Sequence, residues 1–231
     1  MKKHDFDIIV VGGGHAGIEA ATVASRLGLQ TLLITSDLKK MGFMSCNPSI
    51  GGLGKGHMVK ELDALGGEMG RAADISCIQF KRLNSRKGPA VRGSRAQCDK
   101  DIYTQHMSAL IKSYPNLTSI EAEVSALTFV KDFCTGVVLA DKSVISAQAT
   151  VLCTGTFMRG VMHIGHHRIE GGRVGEKATI GISDQLKEFG FEVSRLKTGT
   201  PPRLKRSSID WSKTEPQSGD KKFVPFSFRS S

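Results

Sequence analysis

The sequence has no two cysteines spaced C-x-x-C. Its five cysteines, Cys46, Cys77, Cys98, Cys134 and Cys153, are odd in number and scattered. That excludes a zinc ribbon and a disulfide framework, and it fits a reducing cytoplasm. Long apolar runs are missing too. After the charged start Met1-Lys2-Lys3-His4-Asp5, the apolar run is only Ile8 to Val11, too short for a signal peptide or a membrane span. No later stretch reaches membrane length, so a cytoplasmic protein without membrane association is expected. Aromatic residues make up 6% of the chain beside 39% hydrophobic and 23% charged residues, an ordinary balance for an α/β protein. There is no internal repeat and no low-complexity run. The 26 glycines gather in short clusters (12–14, 51–54, 66–67, 171–172) and read as backbone devices, not as a linker.

What the sequence has in excess is positive charge. Lys and Arg number 32 against 22 Asp and Glu, a formal net charge of +10. Such a surface attracts polyanions and also suits a dinucleotide. At 231 residues the chain can form one large domain, or one domain and the start of a second.

Phe6 to Val11 is a short β-branched run, predicted as a buried strand; residues 18–27 read as a helix ending at Gly28, and Thr31 to Ile34 as a second strand. This is the opening β-α-β unit of a doubly wound sheet. Residues 39–56 read as loop, 57–65 as a helix, and 97–112 as a helix stopped by Pro115. Residues 117–147 suggest a small antiparallel or three-stranded excursion, followed by a buried strand at 149–153. A helix is predicted at 182–189 and a strand at 191–196. Beyond Thr200 the texture is polar, with a packed element suggested only at 223–228. The fold class is therefore α/β: a Rossmann-like domain with a β-rich excursion, apparently truncated. Its expected domains are 1–199 and an incomplete inserted segment at 200–231.

Gly12-Gly13-Gly14-His15-Ala16-Gly17 places G-x-G-x-x-G between the first strand and the first helix. Gly12 permits the tight turn, Gly14 lets the backbone approach a pyrophosphate, and Gly17 allows close helix–strand packing. The alternative is a merely structural glycine turn. The acid that usually ends the second strand and holds a ribose hydroxyl is absent: Thr35 and Ser36 stand there, with Asp37 two places late. The two hydroxyls are the preferred ribose contacts, with Asp37 reaching back as the alternative. A second apolar strand ends in Thr154-Gly155-Thr156, where a residue without a side chain lets the backbone pass a ligand. With the first motif it favours FAD over NAD as the resident cofactor.

The loop from Ser45 to His57, S-C-N-P-S-I-G-G-L-G-K-G-H, joins a thiol, an amide, four glycines, a lysine and a histidine. It would suit a flavin ring or a substrate edge. Cys46 reads either as a nucleophile or as a small buried hydrophobe. Lys81, Arg82, Arg86, Lys87, Arg92 and Arg95 form a basic run that could follow RNA phosphates or simply be a solvated face. His163, His166 and His167 have no acid or thiol at suitable spacing, so no metal site is expected. Lys197 and Arg203 flank a turn at 198–202 that reads either as phosphate-facing or as merely structural.

Five blocks occur in order: G-G-G-H-A-G (12–17), the Cys46 loop (45–57), L-D-A-L-G-G (62–67), K-G-P-A-V-R-G-S-R-A-Q (87–97) and R-L-K-T-G-T-P-P-R (195–203). In these blocks the chain resembles the bacterial tRNA uridine 5-carboxymethylaminomethyl modification enzymes, the glucose-inhibited division protein A family. The resemblance covers the whole chain, and it implies a flavoenzyme that builds a (carboxymethyl)aminomethyl group on C5 of the tRNA wobble uridine. It implies FAD, NADH bound in a part not present here, and methylenetetrahydrofolate as one-carbon donor. The implied partners are tRNA, a tRNA-modification GTPase and a second copy in a homodimer. Carried onto this sequence, Gly12, Gly13, Gly14, His15, Ala16 and Gly17 would hold the FAD pyrophosphate. Thr35, Ser36, Val124, Gly155 and Thr179 would be further cofactor contacts. Cys46 would be the catalytic thiol, and Arg86, Lys87, Arg92, Arg95 and Lys197 would meet RNA. The rival readings are a folate- and FAD-dependent tRNA uridine C5-methyltransferase, a non-catalytic flavin-containing RNA-binding protein, and a small-molecule oxidoreductase.

Overall fold

A computed structural model describes residues 4–199 and 201–230. Thr200, where the second expected domain begins, lies outside the described residues. In chain order the first elements are β1 (Phe6–Val11), α1 (His15–Arg26), β2 (Thr31–Thr35), β3 (Ser49–Gly51), α2 (Lys55–Ala64) and α3 (Met69–Ile75). Then come β4 (Cys77–Leu83), β5 (Gly93–Cys98), α4 (Lys100–Ser113), β6 (Leu117–Glu121) and β7 (Val124–Val130). The last are β8 (Phe133–Leu139), β9 (Val144–Leu152), β10 (Val161–Ile164), β11 (His167–Glu170) and α5 (Ile182–Glu188). They fold as two compact units: Met1–Phe43 with Thr104–Ser194, and Met44–Tyr103 with Arg195–Ser231.

The first unit is built on a six-stranded sheet of order β6-β2-β1-β9-β8-β7. β6, β2, β1 and β9 run parallel, and β7, β8 and β9 form an antiparallel meander. The nine residues of β9 serve both halves: Val144 to Ser146 pair with β8, and Ala147 to Leu152 pair with β1. The doubly wound sheet and the β-rich excursion are thus one continuous surface. β2 is buried at all five positions, as a central parallel strand covered on both faces must be. The core joins Ile9, Val11, Leu32 and Ile34 of the parallel strands to Leu127, Val137 and Leu139 of the meander and Ile182 of α5. Each such aliphatic side chain contributes about 1.5–3 kcal/mol on burial.

The second unit holds the three-stranded antiparallel sheet β3-β5-β4 with α2 and α3. A strap formed by residues 226–230 is fastened to it. Asp74 accepts the Phe226 N–H (2.8 Å), the Ser227 N–H (2.9 Å) and the Ser230 hydroxyl (2.7 Å). Asp63 accepts the Phe228 N–H at 2.8 Å, and Arg229 reaches both Asp63 and Glu68. Phe226 is fully buried.

Several expectations need correction. The helix predicted from residue 97 begins at Lys100, because Gly93–Cys98 is strand β5 and Asp99 caps the helix, accepting the Asp101 and Ile102 N–H groups. The strand predicted at 191–196 is not one. The stretch finds no partner strand, and Phe191 and Leu196 are exposed. The loop predicted at 39–56 contains β3 and the first residues of α2. The packed element expected at 223–228 is present as part of the strap, with Phe226 and Ser227 buried and no helix or strand formed. Among the described residues, no helix is long and apolar enough to cross a membrane.

Candidate functional site

In a doubly wound sheet the carboxyl ends of the parallel strands border a crevice, and in the first unit its β1 and β9 edge is close-packed backbone. Gly12 leaves β1 with φ +113°, and a Cβ there would lie 2.2 Å from the Cys153 carbonyl oxygen at the end of β9. On Gly17 a Cβ would lie 1.7 Å from the Gly12 oxygen, and on Gly13 it would lie 2.8 Å from Thr35 Oγ1. These three glycines let strand, turn and helix close on one another. Gly14 differs: a Cβ there would meet nothing within 4 Å. Gly14 is also the N-cap of α1, with no side-chain cap hydrogen bond and no acidic residue in the first turn. The positive end of a 12-residue helix therefore has no side-chain cap and no carboxylate in its own first turn, and there is open space beside Gly14. That donor set fits a dinucleotide pyrophosphate.

The other predicted cofactor residues gather at the same edge. Thr35 ends β2; its carbonyl accepts the Ala122 N–H at 2.9 Å, and its side chain is buried under Gly13. Ser36 is exposed and is the freer of the two hydroxyls. The Asp37 carboxylate caps its own turn, accepting the Lys39 N–H at 2.8 Å, and pairs with Lys40 at 3.3 Å. Val124, which opens β7, is buried. Gly155 lies in the turn after β9 at φ +57° with open space beside it. Thr179 exchanges backbone hydrogen bonds with Phe157 and Arg159 just beyond that turn (2.9 Å each). Ala16 is exposed on the first turn of α1. His15 is half-buried, and burial chiefly, then the Arg173 charge, lowers its pKa, so the imidazole is neutral at pH 7.

Arg173 escaped the sequence reading. Its guanidinium lies 5.1 Å from the Phe157 ring centroid and 5.7 Å from that of Phe43. Its Nη1 is 3.7 Å from Glu176 but is buried without a hydrogen-bond partner. The only sequence signal was the glycine pair 171–172 before it.

The second unit carries Cys46 and the predicted RNA-facing residues, and the histidine hairpin belongs to the first. Of the five free cysteines only Cys46 is exposed. Burial pushes the thiols of Cys77, Cys98 and Cys153 up and keeps them protonated. The Cys46 loop is pinned on both sides. Asn47 Oδ1 accepts from Gln97 Nε2 at 3.0 Å, the Pro48 carbonyl accepts the Cys98 N–H at 2.7 Å, and the Ser45 carbonyl accepts from Arg203 at 3.1 Å. Arg86 and Lys87 are exposed on the β4–β5 connection, and Arg92 reaches back to the Lys87 carbonyl at 2.9 Å. Arg95 lies in β5 directly opposite Lys81, and Lys197 is exposed. His163 and His167 lie on the exposed hairpin β10–β11, with His166 at its turn.

The family model described as Glucose inhibited division protein A matches residues 7–231. Over all 231 residues the chain is 60% identical to the tRNA uridine 5-carboxymethylaminomethyl modification enzyme MnmG of Bdellovibrio bacteriovorus, covering 36% of that protein. It is 52% identical to the protein of the same name from Myxococcus xanthus, over 97% of this chain and 36% of that one. The structure of Aquifex aeolicus GidA superposes with a TM-score of 0.93 at 45% identity, covering 97% of this chain and 37% of that one. The chain thus spans little more than a third of the length of these relatives. Sequence and fold together make it a member of the glucose-inhibited division protein A family.

Proposed function

We propose that this chain is the FAD-holding and thiol-bearing portion of an enzyme that adds a (carboxymethyl)aminomethyl group to C5 of the tRNA wobble uridine. One observation carries the cofactor half: three of the four glycines at 12–17 are closed by backbone or side chain, and Gly14 alone opens onto space at the uncapped end of α1. The substrate half follows from the name borne by the relatives and from the single exposed thiol.

In this reading the residues at 12–17 bind the pyrophosphate, Ser36 and Thr35 face the ribose, and Val124, Gly155 and Thr179 border the remaining cofactor. FAD supplies the redox step. Neutral His15 keeps a second positive charge out of the turn without adding a negative one. Cys46 acts on the substrate. As a thiolate it bonds to C6 of uracil, and the C5=C6 electron pair moves toward C5 and O4. C5 then attacks the folate-borne one-carbon unit and loses its proton; tetrahydrofolate leaves the new methylene, ammonium or glycine takes its place there, and the C6–S bond breaks to restore the ring. Arg86, Lys87, Arg92 and Lys197 offer cations to the RNA strand. NADH as reductant, methylenetetrahydrofolate as carbon donor, a partner GTPase, assembly as a homodimer and work in the cytoplasm complete the proposal.

Two measurements test it. An absorption scan after FAD addition and desalting is expected to show retained flavin bands; their absence both here and in a full-length relative would sink the cofactor assignment. In a complete enzyme, Cys46→Ala is expected to abolish wobble-uridine modification while leaving the flavin spectrum unchanged. Undiminished modification would remove Cys46 from the mechanism.

A further inference from the structure

On the solvent face of the β3-β5-β4 sheet, Lys81 of β4 stands directly opposite Arg95 of β5, and Gln79 stands opposite Gln97. Like charges placed directly opposite in an antiparallel pair are destabilising. Neither cation forms an ion pair among the described residues. Lys81 Nζ has one long contact to the Ser218 carbonyl (3.5 Å), and Arg95 Nη2 has one to Gln97 Oε1 (3.5 Å). Both side chains are half-buried, so water screens them less than it screens a surface lysine. Between them lies an open cavity of about 120 Å³, lined by Gln79, Lys81, Leu83, Arg95, Gln97 and Gln217, with no carboxylate in its wall. Asp220, on the outer edge of β4, is engaged by the Arg82 N–H at 2.7 Å. The sheet thus holds two cations together around a space and gives them nothing to neutralise.

The cavity is tied to the Cys46 loop within the same unit. Gln97 takes the Arg95 contact through its oxygen and donates its amide N–H to Asn47 Oδ1 at 3.0 Å, one residue from the exposed thiol. An anion bound between Lys81 and Arg95 would therefore sit on the network that positions that loop. The guanidinium has most of its donors unengaged and suits a two-oxygen anion, while the ammonium adds a point charge.

We infer that this cavity binds a backbone phosphate of the RNA strand, beside the nucleotide whose base is presented to Cys46. The inference rests on the proposed tRNA reading. Leu83 and the amides of Gln79 and Gln217 form a mixed apolar and polar floor, suited to a ribose. The oppositely placed cations are thereby a specific seat, distinct from the exposed charges of Arg86 and Lys87 on the neighbouring loop.

The test is fluorescence anisotropy with an anticodon stem-loop RNA carrying uridine at the wobble position. Lys81→Gln and Arg95→Gln are each expected to weaken binding about tenfold and to lower the salt dependence by about one phosphate. Arg71→Gln, an exposed cation on α3, serves as the charge control and is expected to change binding less than about twofold. Melting temperatures of the two cavity variants should equal or exceed the wild type, since each relieves a like-charge pair. A second measurement leaves the protein untouched: a single neutral methylphosphonate is placed at each linkage flanking the wobble uridine. One linkage should cost as much as Arg95→Gln, and should cost nothing further in that variant. Wild-type affinity in both cavity variants overturns the inference while the tRNA reading stands, as does a methylphosphonate loss that is unchanged by Arg95→Gln. If the wild type shows no preference for any tRNA stem-loop, yet binds inorganic phosphate in an Arg95-dependent way, the tRNA reading falls, and the RNA assignment of the cavity falls with it.

Discussion

The crevice at the carboxyl ends of β1, β2 and β9 is made of backbone, whereas the face of β3-β5-β4 is made of side chains. In the crevice, selectivity comes from which glycines are closed and which is open. On the sheet it comes from which residues happen to oppose one another. Backbone sites depend on spacing along the chain, which is fixed covalently. Side-chain sites of this kind depend on register, which exists only after strands have paired.

The sharpest way to break that contrast is inside the glycine turn itself. Gly17→Ala would drive a Cβ to 1.7 Å from the Gly12 carbonyl, an overlap that backbone cannot relieve cheaply. A loss of roughly 3 kcal/mol or more is expected, seen as a large drop in the midpoint of denaturant unfolding. Gly14→Ala meets no atom within 4 Å and should change stability by less than about 1 kcal/mol, while lowering flavin retention about tenfold or more. If Gly14→Ala keeps flavin as the wild type does, the pyrophosphate does not lie at that residue.

The second unit has its own weak point. Asp74 accepts three hydrogen bonds from the strap, so Asp74→Ala leaves the N–H groups of Phe226 and Ser227 without their partner. A cost of about 2–4 kcal/mol is expected, with protease cleavage appearing after residue 220. If the crevice and the sheet are independent constructions, flavin retention should survive this change. Loss of flavin in a chain that still melts cooperatively would show that they are coupled.

These differences explain what the sequence disclosed. The G-x-G-x-x-G turn, α1, β2, α2 and α5 were readable because hydrophobic period, glycine spacing and caps are local. Helix 97–112 was started too early because Gln97 is helix-permissive. What overrides it is pairing with β3 and β4, and no local signal carries that. Residues 191–196 have strand composition but no partner, so propensity alone misled. Arg95 was legible as one cation in a basic run, but its opposition to Lys81 was not. Nor was the link from Gln97 to Asn47, which joins residues 50 apart in the chain. Arg173 was hidden for the same reason: the rings of Phe43 and Phe157 meet it only in the fold.

The smallest expected effect returns to the crevice. Burial and the nearby Arg173 hold the His15 pKa below its ordinary value of 6.5. The unfolded chain, with His15 at its ordinary value, therefore binds a proton more readily than the native state does. The contribution is fully present above about pH 6.5 and is lost progressively as pH falls from there through the lower native value. Melting temperature should accordingly drop between pH 7 and 5.5, by a few degrees at most, and His15→Gln should flatten that part of the profile. Flavin offers a second readout. A phosphate at Gly14 favours the protonated imidazole and narrows the gap between native and unfolded His15, so bound FAD should make the acid loss of stability smaller. An unchanged profile in His15→Gln would assign the acid sensitivity to other groups and leave the imidazole as a packing element of α1.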